Sequence, residues 1–61
     1  MAAELSAAAE AIGDYQRRVA ALTARVEKER NDLLTAIYEA ERALGVADRA
    51  IRRAIKVASA R

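Results

Sequence analysis

Val26-Glu27-Lys28-Glu29-Arg30-Asn31-Asp32-Leu33 is the stretch on which the architecture turns, because six consecutive polar residues interrupt an apolar pattern that runs on either side of it. Toward the N-terminus, large apolar residues recur every seven positions at Leu5, Ile12, Val19, Val26 and Leu33. Three positions after the first three of these stand Ala8, Tyr15 and Leu22, which is the heptad spacing of a helix–helix seam. The companion position then falls on Glu29, and the pattern resumes four residues out of frame as Leu33, Ile37, Ala40, Leu44, Ala47, Ile51, Ala54 and Ala58. A four-residue shift is a stutter that a continuous coiled coil absorbs by local unwinding, and the same polar run also suits the turn of a hairpin.

The rest of the chain reads as helix. Proline is absent, glycine occurs only at Gly13 and Gly45, and 17 of the 61 residues are alanine, the strongest helix former. Gly45 is the best candidate for a helix stop, since a glycine just past a helix can close its last turn in the left-handed conformation. Asp48 would then cap a final helix, with Arg53, Lys56 and Arg61 near its negative end. The sequence therefore predicts an all-α chain: a long amphipathic helix over about residues 3–44 and a short basic helix over about residues 48–60. A near-continuous coiled coil or a helical hairpin bent near Asn31 are the alternative arrangements. All three lie in a single domain spanning 1–61, and all leave apolar stripe to be covered, so an oligomer is expected.

Composition narrows the function classes. With no cysteine and no histidine, neither a disulfide framework nor the usual zinc ligand sets can be built, and no metal or cofactor is expected. Ser6, Thr23, Thr35 and Ser59 have no activating base in an evident pattern. Glu10 and Asp14 share a helix face at i, i+4, but Arg17 and Arg18 are within reach of Asp14, which makes a solvated charge cluster. An enzyme with a small-molecule substrate is not expected. The start of the chain lacks the positive region and long apolar run of a signal peptide, and no stretch nears the roughly 20 apolar residues of a membrane span, so a cytoplasmic location without membrane contact is expected.

Charge is uneven along the chain although the net value is only +2: residues 42–61 carry Asp48 alone against six bases. Arg49, Arg52, Arg53 and Lys56 follow i, i+3, i+4, i+7 spacing and form one basic face, suited to an acidic protein surface or to phosphates. The segment Ala43-Leu44-Gly45-Val46-Ala47-Asp48-Arg49-Ala50-Ile51-Arg52-Arg53-Ala54-Ile55-Lys56 also resembles the core of a bacterial helix-turn-helix, with Gly45 in the turn and Ile51 and Ile55 at apolar positions of the second helix. It departs from that pattern at Glu41, where a small residue is usual, and at Ala47, where a serine or threonine cap is common. The resemblance implies that Arg49, Arg52 and Arg53 meet DNA.

Two functions follow as expectations. The first is a non-enzymatic structural or adaptor protein, an accessory subunit of a larger assembly among its forms. It associates with a copy of itself or with another protein through a helix–helix interface of Leu5, Ile12, Tyr15, Val19, Leu22, Val26, Leu33, Ile37, Leu44 and Ile51. The alternative is a small nucleic-acid-binding regulator that uses the basic C-terminal segment.

Overall fold

A computed structural model describes residues 1–60; Arg61, expected near the negative end of the last helix, lies outside the described residues. Two helices, α1 (Ala2–Thr23) and α2 (Asn31–Ser59), form an antiparallel hairpin with extents of 51 × 14 × 10 Å. At 1.5 Å per residue the helices are about 33 and 43 Å long, so α1 can lie beside most, but not all, of α2.

The polar run becomes the turn. Residues 24–30 leave the helical path, with Arg25 N–H donating to the Leu22 carbonyl at 3.0 Å and Arg30 N–H donating to the Glu27 carbonyl at 2.9 Å. The Thr23 hydroxyl donates to the Ala20 carbonyl at 2.8 Å and occupies an acceptor in the last turn of α1. Asp32 in the first turn of α2 lies where the helix dipole favours negative charge, and Arg30 Nε donates to its carboxylate at 3.3 Å. A continuous rod would leave its stripe in water over its whole length. Bending at a run that supplies only Val26 to the stripe lets one half cover the other.

The break expected at Gly45 does not form, and the division into helices over 3–44 and 48–60 is corrected accordingly. Helix α2 runs unbroken through Gly45, which has no positive φ. A glycine inside a helix costs about 1 kcal/mol relative to alanine. A turn there would carry Ile51 and Ile55 off the line they share with Leu34, Ile37 and Leu44, which is worth more. The resemblance to a helix-turn-helix fails at the same residue, for the turn that defines the motif is helix here.

Between the helices, α1 presents Leu5, Ala9, Ile12, Gln16, Val19 and Thr23, with Val26 following in the turn, all partly covered. Helix α2 answers with Leu34, Ile37, Glu41, Leu44, Asp48, Ile51 and Ile55, an uninterrupted alternation of three- and four-residue steps. Among the described residues only Ile37 is buried, at 9% exposure. The core is thus a single thin seam, one side chain deep.

Candidate association surface

Leu5, Ile12, Val19 and Val26 and the trio Ile37, Leu44 and Ile51 are covered at least in part, in a hairpin whose two helices pack against each other within the chain. Their companions differ from the expected set. Tyr15, Leu22 and Leu33 stand outside, at 54%, 44% and 38% exposure. On α1 the covered companions of Ile12 and Val19 lie four residues on, at Gln16 and Thr23, instead of three, while both Ala8 and Ala9 after Leu5 are partly covered. Ala9 on that side is small, whereas Tyr15 is bulky and stands outside.

The two broad sides of the hairpin differ in chemistry. One holds an open groove of about 540 Å³, lined by Ser6, Glu10, Gly13, Asp14 and Arg17 of α1 and by Arg52 of α2. Its charges are largely matched: Arg17 pairs with Asp14, and Arg52 Nε donates to Asp48 Oδ2 at 2.9 Å. Asp48 stands at a seam position with its side chain only 17% exposed, and its other carboxylate oxygen is buried without a hydrogen-bond partner. A charge held there weakens the seam that Leu44, Ile51 and Ile55 build around it.

The opposite side carries Ala8, Ala11, Tyr15 and Leu22 from α1. From α2 it carries Leu33 and the ladder Ala36, Ala40, Ala43, Ala47, Ala50 and Ala54 at i, i+4, i+7, i+11, i+14 and i+18. No charged residue stands at any of those positions. Arg18 borders this face, its guanidinium 5.5 Å from the centroid of the Tyr15 ring, a distance at which the cation is attracted to the ring face. Sequence periodicity missed the face because alanine satisfies both a seam and a surface. Its signal was there in the six alanines, none of which is displaced by a charge.

The basic residues Arg49, Arg52, Arg53 and Lys56 are all exposed on α2. Arg52 is engaged by Asp48, and the four project from a straight helix with no turn before it. Among the described residues no group of three or more histidine, cysteine, aspartate or glutamate side chains is arranged to hold a metal ion, and no helix is long and apolar enough to cross a membrane.

No protein-family model, no curated protein and no solved structure matches the chain. Its described residues form a small, elongated all-α hairpin among which no catalytic motif occurs.

Proposed function

We propose that this chain is a non-enzymatic structural or adaptor protein that works by helix–helix association with protein partners. One observation carries the reading: a folded hairpin of two well-formed helices buries a single side chain, Ile37, while Tyr15, Leu22, Leu33, Tyr38, Val46 and Val57 remain exposed. A monomer that stopped there would hold a core too thin for its length. Association supplies the missing burial, as it does for other small scaffolds that lack disulfides and metals. An accessory place in a larger assembly and a cytoplasmic setting accord with this reading.

Exposed Arg49, Arg53 and Lys56 support a second reading, phosphate-backbone binding by the basic end of α2. Sedimentation velocity of the purified chain at two salt concentrations, alone and with a labelled DNA duplex, separates the two. The association reading expects a species heavier than the 6.6 kDa chain that leaves the duplex unshifted. A duplex shifted at low salt and released at high salt, by a chain that is otherwise monomeric, would sink it.

A further inference from the structure

We infer that the alanine face is the docking surface for a second copy of this chain, so that two hairpins stack into a four-helix bundle. The inference rests on the association reading above and names its partner and face.

The exposed area indicates how much is missing. The hairpin exposes 4928 Å², whereas a compact monomer of 6.6 kDa exposes about 3,900 Å², leaving an excess on the order of 1,000 Å² per chain. A broad side of 51 by 14 Å offers on the order of 700 Å² per copy, hence about 1,400 Å² for a pair, inside the range of about 1,200–2,000 Å² typical of stable interfaces. Covering one broad side therefore removes most of the excess.

Shape and charge select a copy as the occupant. The face is bulky along α1, at Tyr15 and Leu22, and shallow along α2, where Ala36, Ala40, Ala43, Ala47, Ala50 and Ala54 form a ladder. A two-fold axis parallel to the rod lays the α1 ridge of each copy on the α2 ladder of the other, so one surface supplies both ridge and trough. Such an interface is isologous, the commonest kind in homo-oligomers. Alanine at every ladder position lets the helices approach closely, as small residues do in tightly packed pairs. The α2 ladder carries no charge to be desolvated, Glu4 and Arg18 of α1 flank it as exposed side chains, and a net charge of only +2 per chain opposes pairing weakly. The groove side has the reverse character: pairing there would take the charges of Glu10, Asp14, Arg17 and Arg52 out of water.

The test is sedimentation equilibrium of the full chain, with far-UV circular dichroism recorded alongside. The wild type is expected at twice the chain mass. Ala43→Glu with Ala47→Glu, two strong helix formers on the alanine face, should return it to the single-chain mass with helicity retained. Ser6→Glu with Ala20→Glu, the same charge change on the groove side, should stay at twice the mass. Should the double glutamate variant lose its helices, Leu22→Asp places one charge on the same face at a more exposed position and takes its place. A wild type that stays at the single-chain mass up to millimolar concentration overturns the second copy; the wider association reading then rests on the duplex titration. An assembly that keeps its mass in both Ala43→Glu/Ala47→Glu and Leu22→Asp overturns the face and leaves the association reading standing.

Discussion

The inner seam and the outer alanine face are built from the same two helices, and each contains a run of apolar positions spaced for helix packing. They differ in what stands at those positions. The seam has volume, with Leu5, Ile12, Val19, Ile37, Leu44, Ile51 and Ile55, but it is interrupted by Gln16, Glu41 and Asp48. The alanine face has an unbroken ladder on α2, with Glu4 and Arg18 flanking it on α1, but little volume outside Tyr15, Leu22 and Leu33. Large side chains gain most from being covered first, at about 1.5–3 kcal/mol each when fully buried. A chain that can bend therefore covers them within itself. The alanines gain less per residue and are left for a contact that two copies must find by diffusion. Volume decides which stripe folds, and continuity decides which stripe docks.

Matched aspartates break the comparison most sharply. Val19→Asp should melt the hairpin, because it puts an unpaired carboxylate into the seam, whereas Leu22→Asp, three residues later, should leave the helical signal intact and lower only the assembly mass. Thermal melts with mass measurement on both variants decide the matter, and equal loss of helicity would erase the distinction between the two stripes. Ile37→Ala follows, with an expected loss of about 2–4 kcal/mol in urea unfolding, since it removes the one buried side chain. A loss below 1 kcal/mol would mean that the seam is held elsewhere.

Gly45→Ala should raise stability by about 1 kcal/mol. Its added methyl would meet only the far end of the Arg49 side chain, at 3.7 Å, and the backbone there is helical. A glycine serving a turn would give the opposite sign, so the same denaturation curve sharpens the assignment of a continuous α2.

The smallest effect belongs to Asp32, outside both stripes. The Arg30 guanidinium, and after it the Leu33 backbone N–H, hold its carboxyl below the usual aspartate value. A folded-state pKa that is depressed adds stability above the unfolded value of about 3.9, and that stability is lost as pH falls through the folded value. The melting temperature of Asp32→Asn should thus lie slightly below that of the wild type at pH 7, and the two should converge near pH 2. A gap that persists at pH 2 would assign the effect to something other than the charge.

Much of this molecule is settled by local chemistry. Helix throughout follows from alanine, the absence of proline and the heptad spacing. The break around Glu27–Arg30 follows from a polar run that no seam can use. The alternation of Leu5, Ile12 and Val19 on one side of the break with Ile37, Leu44 and Ile51 on the other makes the two halves fit partners, and the exposed basic face of α2 is legible from spacing alone. The sequence could not decide between a stutter and a turn at that break, nor whether Gly45 ends a helix, because both depend on how much apolar surface the two halves cover when brought together. Nor could it say on which side of each helix the companions lie. An angular difference of one residue separates Tyr15 from Gln16 and Leu33 from Leu34, and only the packing of the second helix selects between them. That selection turned Tyr15, Leu22 and Leu33 outward beside the alanine ladder, leaving an apolar face that exists only once the hairpin is closed.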